Sequence, residues 1–226
     1  MPESLSIVVP AYNEETSLPL VVRQLATLAA SAVLDHEILI VDDGSGDRTA
    51  SVAAELAAEL PRVRVVRHQT NQGSGGAILT GIAHARCDLV VYVPADGQFH
   101  LPEIRDFLQA MAENDIVIGA RIERSDYSAF RRLSSRVFIG AVNRLFDQDF
   151  KDVNWVHMWR RRIFERVRPR SRGVFLLEEI LVRARLAGFR VVEIPSRYVP
   201  RLSGRDGGST RTSCMTNPAT MPSSMA

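Results

Sequence analysis

Short apolar runs and helical stripes alternate along the first half of the chain. Residues 5–12 (LSIVVPAY) form an almost unbroken apolar run, the pattern of a strand buried on both faces of a sheet. The next segment, about 15–30, sets Leu18, Val22, Leu25 and Leu28 on one helical face. A second apolar run, EILIVDD, ends in two aspartates. Asp47 or Ser45 is then placed to cap a helix over about 48–60, which stops before Pro61. VRVVRH reads as a third strand, Gly73 to Gly76 lead into a helix over about 76–86, and DLVVYV is a fourth strand. A helix over about 101–112 and the strand DIVIGA complete this half. Such strand–helix–strand alternation predicts an α/β fold with a mostly parallel central sheet and helices on both faces.

The second half is less regular. Residues 129–146 pattern as a basic amphipathic helix, with Phe130, Leu133, Val137, Phe138, Ala141, Val142 and Leu145 on one face and Arg131, Arg132, Arg136 and Arg144 beside it. That face either packs on the core or lies on an anionic membrane surface with its arginines at lipid phosphates. A further helix over about 174–187 ends at Gly188, and FRVVEIPSRYV is a last strand. The Ser-, Thr-, Gly- and Pro-rich end has no period, so one domain is expected over 1–208 with a disordered tail at 209–226.

Composition changes this picture in one respect. The net charge of the 226 residues is only +2, yet residues 121–172 hold fourteen Lys or Arg against six Asp or Glu. A basic half beside an acidic half predicts an anionic partner, a phosphate or a lipid surface. No recognition motif for nucleic acid accompanies the charge, so nucleic acid is not the expected partner. Cys87 and Cys214 have no metal-like spacing, and no apolar stretch approaches the ~20 residues that span a bilayer. With no secretory signal at its start, the chain reads as cytoplasmic, at most peripheral at the inner face of the membrane.

In parallel sheets ligands bind beyond the carboxyl ends of the strands. There the sequence places Tyr12, Asn13, Glu14, Asp42, Asp43, Asp96, Gln98 and Arg121. Tyr12 can stack on a planar base and Glu14 can accept from ribose or base, or both simply belong to a turn and a helix start. The Asp42–Asp43 pair makes an acidic rim, or caps the next helix with charge to spare. NQGSGGA either brings backbone close to a diphosphate or is a tight turn; it is neither a Walker loop nor a dinucleotide fingerprint. Arg121, Arg197, Arg201 and Arg205 could fork onto phosphates, although any one is more often solvated. The five histidines have no metal or triad spacing, and of the adjacent Glu178 and Glu179 one should face solvent.

VVPAYNEE, ILIVDDGSGDRT, NQGSGGAILTGI, ADGQF, IVIGAR, DVNWVHMWRR and EIPSRYVPRLSGR, in this order over about residues 5–208, resemble family 2 glycosyltransferases of the GT-A fold. The nearest subgroup is the polyprenyl-phosphate sugar transferases, of the dolichol-phosphate mannose synthase kind. The resemblance implies that Pro10, Tyr12 and Glu14 line a nucleotide, with Val41, Asp42, Asp43 and Ala95 around it. It implies that Asp96 and Gln98 hold Mg²⁺ or Mn²⁺ on the donor diphosphate, and that Arg121, Arg197 and Arg205 meet phosphates. Asp96 and Arg121 are the expected catalytic residues. The family's Asp-x-Asp-x-Gln here reads PADGQ, with Pro94 in place of the first acid. Magnesium needs only one or two carboxylates when phosphates and waters complete its shell. The implied activity is inverting transfer of a sugar from a nucleotide-sugar donor to a polyprenyl phosphate. Two alternatives stand beside it: a non-catalytic nucleotide-sugar binding protein, and a transferase to a soluble saccharide or small-molecule acceptor.

Overall fold

The computed structural model describes residues 4–32, 35–122, 149–173 and 175–201, together with 137, 139, 140, 143 and 144. Seven strands form one sheet: β1 (Leu5–Ala11), β2 (His36–Asp42), β3 (Val63–Arg67), β4 (Leu89–Tyr92), β5 (Ile116–Arg121), β6 (His157–Arg160) and β7 (Val191–Ser196). Their order is β3-β2-β1-β4-β6-β5-β7. β6 alone runs antiparallel to its neighbours β4 and β5, and the other pairings are parallel. The helices are α1 (Leu18–Ala32), α2 (Thr49–Glu59), α3 (Gly73–His84), α4 (Ile104–Ala110) and α5 (Leu176–Leu186).

The unbroken apolar runs have their cause in a sheet covered on both faces. Leu5, Ile7, Val9 and Ala11 of β1 join α1 and α2 in one core cluster. Val8 points the other way and joins α3 and α5 in a second. Pairing Ala11 with Asp42 and Val8 with Tyr92 brings the tips of β1, β2 and β4 to one edge.

β6 is not legible as a strand in the sequence. Its four residues, HMWR, carry no alternation, yet they bury Trp159 completely beneath α5. The predicted helix over 101–112 is shorter and begins with a 3₁₀ turn at Leu101–Glu103, where Pro102 suits a helix start. The helix expected from 76 begins three residues earlier, at Gly73. Most of the predicted basic helix 129–146 lies outside the described residues, as do Arg205 and the segment 209–226. Within it, Ile139 packs into the second cluster and Val137 is exposed. Asn143 exchanges two hydrogen bonds with the backbone of Phe150. Among the described residues, no helix is long and apolar enough to cross a membrane.

Candidate active site at the carboxyl edge of the sheet

The tips of β1 and β2 are lashed together by short polar side chains. Asn13, at a φ of 56°, donates its N–H to Ser45 Oγ at 3.0 Å, and its Oδ1 accepts from Gly46 N at 2.9 Å. Glu14 N donates to Thr49 Oγ1 at 2.8 Å. Asp47 does not cap through a regular N-cap geometry, but its carboxylate accepts the Thr49 N–H at the start of α2. Ser45 is used by Asn13 instead.

The two aspartates after β2 have separate tasks. Asp42 is fully buried, pairs with Arg67 at 3.1 Å and accepts the Ser45 N–H, so it shapes the turn. Asp43 lies on the cavity described below. Its Oδ1 accepts from Gln72 N at 2.9 Å and meets His68 Nδ1 at 2.6 Å, while His68 Nε2 lies 2.9 Å from Thr80 Oγ1. His68 is therefore an orienting residue for Asp43 that sequence spacing did not mark. Its place at the end of β3, opposite the acidic tip of β2, was the available signal.

Asp96 follows β4 on a turn made by Gly97, whose φ of 76° suits a residue without Cβ. The turn brings Gln98 N to Asp96 Oδ1 at 3.0 Å. Burial raises the Asp96 pKa above its ordinary value, with Glu14 adding to the rise; the Gln98 N–H and Arg201 oppose it. The chain after β7 returns over this turn. Phe99 and Tyr198 form a bridge, Val199 N donates to Gln98 O at 2.8 Å, and Gln98 Nε2 donates to Tyr198 Oη. Arg201 then reaches both rims: its guanidinium pairs with Glu14 and lies 3.9 Å from Asp96 Oδ2.

Beside this acidic rim is a cavity of about 440 Å³, within the range of small-ligand sites. Pro10, Tyr12, Asp43, Asn71, Pro94 and Leu177 are among its lining residues. Tyr12 is half exposed. Glu14, Asp96 and Gln98 are not in the cavity wall; Tyr12 and Pro94, in adjoining loops, connect the two parts. The first turn of α3 also faces the cavity, and its Gly75 permits a close approach: a Cβ there would lie 2.4 Å from the carbonyl oxygen of Arg172. Gly75 of NQGSGGA thus serves packing between α3 and the segment before α5, while an added Cβ at Gly76 would meet Gln72 and one at Gly73 would meet nothing.

Oxygen donors for a hard cation are present but few. Asp96 and Gln98 supply carboxylate and amide oxygens on one turn, while no group of three metal-binding side chains occurs among the described residues. That set fits a divalent cation whose remaining ligands come from a substrate and water.

Other expected site residues are placed differently. Val41 and Ala95 are buried away from the cavity wall. Arg197 is exposed, with its N–H held by Glu103. Arg121 ends β5, but its side chain is 7% exposed and forks onto Asp152 at 2.7 and 3.1 Å, with its guanidinium 4.8 Å from the Trp155 ring. This is a fixed structural ion pair rather than an open phosphate-binding fork. Two further described arginines of the basic stretch contact the fold: Arg162, though 67% exposed, pairs with Asp115, and Arg161 donates to Cys87 O.

Neither of the paired glutamates on α5 simply faces solvent. Burial pushes the Glu179 pKa up, but Ser171 and Arg170 N–H groups, the Ser171 hydroxyl and Arg183 bring it down to about 2. Glu178 points inward, 6% exposed, and burial reinforced by Asp152 raises its pKa to about 7. The folded state therefore holds the Glu178 proton more tightly than the unfolded chain does. The stability this gives is complete below about pH 4.5 and is lost as pH rises through about 7. Glu178→Gln is expected to unfold at a higher temperature than wild type at pH 8, with the gap closing at pH 4.5. An equal gap at both pH values in thermal unfolding would contradict this.

The sequence matches the family model described as Glycosyl transferase family 2 over residues 6–173. Several solved structures share the fold. Glucosyl-3-phosphoglycerate synthase from Mycobacterium tuberculosis, in complex with Mn²⁺, uridine diphosphate and glucosyl-3-phosphoglycerate, superposes with a TM-score of 0.71 at 18% identity, over 90% of this chain and 73% of that one. The same enzyme with Mn²⁺, UDP-glucose and phosphoglyceric acid gives 0.70 at 18% identity, over 90% and 73%. A mycobacterial protein gives 0.68 at 20% identity, over 88% and 68%. The α/β architecture with a mostly parallel sheet is thus the GT-A fold that the sequence motifs implied.

Proposed function

The chain belongs to glycosyl transferase family 2, and from that premise we propose that it moves a sugar from a nucleoside-diphosphate sugar to a phosphate-bearing acceptor, with Mg²⁺ or Mn²⁺. The observation that carries this reading is the meeting of Glu14, Asp96, Gln98 and Arg201 at a rim next to a ligand-sized cavity. Tyr12 and Asp43 bind the nucleoside in the cavity, and Asp96 and Gln98 are the residues that would hold a divalent cation. The cation's chemistry is to neutralise charge growing on the departing diphosphate. With a polyprenyl phosphate, the new bond joins an acceptor phosphate oxygen to the anomeric carbon as the bond from that carbon to the donor's diphosphate oxygen breaks. The electron pair leaves with the diphosphate. A polyprenyl phosphate is already an anion at neutral pH, so no side chain has to remove a proton from it, whereas attack by a hydroxyl of phosphoglycerate releases a proton that a base or water has to take.

For the acceptor, the motif resemblance favours a polyprenyl phosphate delivered at a membrane surface. The mycobacterial synthase structures, which hold phosphoglyceric acid, favour a small phosphorylated acid as the second reading. The assay is incubation with a set of nucleotide sugars, Mn²⁺ and either polyprenyl phosphate or phosphoglycerate, reading nucleoside diphosphate release. Release with one acceptor class selects between the readings, and none with either, from folded protein, would falsify the proposal.

His68 provides a separate check on the nucleoside side of the site. His68→Ala should weaken nucleoside diphosphate binding about tenfold, because Asp43 loses the partner that orients it. His68→Asn, whose amide can replace Nδ1, should recover most of that affinity. Equal affinities for all three proteins by calorimetry would remove His68 from the site.

A further inference from the structure

We propose that Arg201 makes divalent-cation binding conditional on the donor's diphosphate. The inference rests on the metal-assisted reading given above and assigns Arg201 a role within it. Arg201 contacts the rim of β1 through Glu14 and lies 3.9 Å from Asp96 Oδ2 on the rim of β4. These three side chains together carry one net negative charge, and Pro94 adds none. A divalent cation entering at Asp96 alone must share that carboxylate with a nearby guanidinium and leaves the group positive. The repulsion is substantial because Glu14 and Asp96 are 7% and 16% exposed, so water screens them poorly. A diphosphate brings two or more negative charges, which balance the cation and give the guanidinium a second anion. Cation and diphosphate then each raise the other's affinity by the same factor.

The position of Arg201 is fixed by backbone pairing. The Phe99–Tyr198 bridge and the Val199 N–H bond to Gln98 O attach the segment before Arg201 to the very turn that carries Asp96 and Gln98. Arg201 is a positioning and charge-coupling residue rather than a ligand of the cation.

The test is binding, independent of turnover. Mn²⁺ is titrated, with free Mn²⁺ read by electron paramagnetic resonance, against wild type, Arg201→Ala and Arg201→Lys, each with and without saturating uridine diphosphate. Wild type should bind Mn²⁺ weakly alone and about 5- to 150-fold more tightly with the diphosphate. Arg201→Ala should bind Mn²⁺ alone about tenfold more tightly than wild type, so that the coupling factor shrinks. Arg201→Lys, which keeps the charge, should retain most of the coupling. Unchanged coupling in Arg201→Ala, or weaker binding of Mn²⁺ alone, overturns the role of Arg201 while leaving the metal-assisted reading intact. Absence of diphosphate-coupled Mn²⁺ binding in wild type overturns both. Circular dichroism of each variant establishes that the comparison is between folded proteins.

Discussion

Asp96→Ala is expected to lower sugar transfer at least about a thousandfold while leaving the cooperative unfolding transition in place. Asp96 contributes the only carboxylate on the Asp96–Gly97–Gln98 turn, since Pro94 stands where another acid would otherwise help. On the proposed metal-assisted reading, its loss would leave Gln98 as the one protein ligand on that turn and remove the charge that would anchor a cation beside the diphosphate. The fold should tolerate the change because the turn has other supports, namely the Val199 N–H bond to Gln98 O and the burial of Phe99. Asp96→Asn distinguishes charge from shape: it can keep the hydrogen bond from Gln98 N, yet should remain nearly inactive. Steady-state kinetics and thermal unfolding of both variants provide the check. Transfer within a few-fold of wild type would place the cation elsewhere.

Asp152→Ala should have the largest effect on stability, a loss of about 3–5 kcal/mol, because it leaves the Arg121 guanidinium buried without its carboxylate. The pair is 7% and 3% exposed and forked, with Asp152 also accepting the Arg121 and Asn154 N–H groups. Replacing both partners by apolar residues should destabilise less than Asp152→Ala alone, since no charge is then stranded. Denaturant unfolding of the two proteins measures the difference. If Asp152→Ala instead unfolds like wild type and loses only transfer activity, Arg121 is a phosphate ligand rather than part of this structural pair.

That contrast shows how far the sequence could be read. The apolar runs of β1, β2 and β4 carried their own explanation, because a sheet covered on both faces demands them, and the acids at their tips followed from parallel topology. The fork between Arg121 and Asp152 joins positions 31 apart with no shared period, so Arg121 alone looked available to a phosphate. β6 escaped notice for a related reason: four residues in the middle of a basic stretch carry no alternation, and its strand geometry is imposed by the gap between β4 and β5. Arg201 was visible only as one arginine among several after the last strand. Its contact with Glu14, on the opposite rim, is created when the chain after β7 pairs with the turn at Gln98. Asp42 and Asp43 look equivalent as a sequence pair, yet neighbouring side chains separate them: Arg67 takes one into the turn, and His68 orients the other at the cavity.

The most direct test of the central claim is mass spectrometry of the acceptor after incubation with a nucleotide sugar and Mn²⁺. Sugar transfer at the Asp96 rim predicts a phosphate acceptor one sugar residue heavier, formed by wild type and not by Asp96→Ala. An unmodified acceptor with every nucleotide sugar tried, or the same product from Asp96→Ala, would contradict it.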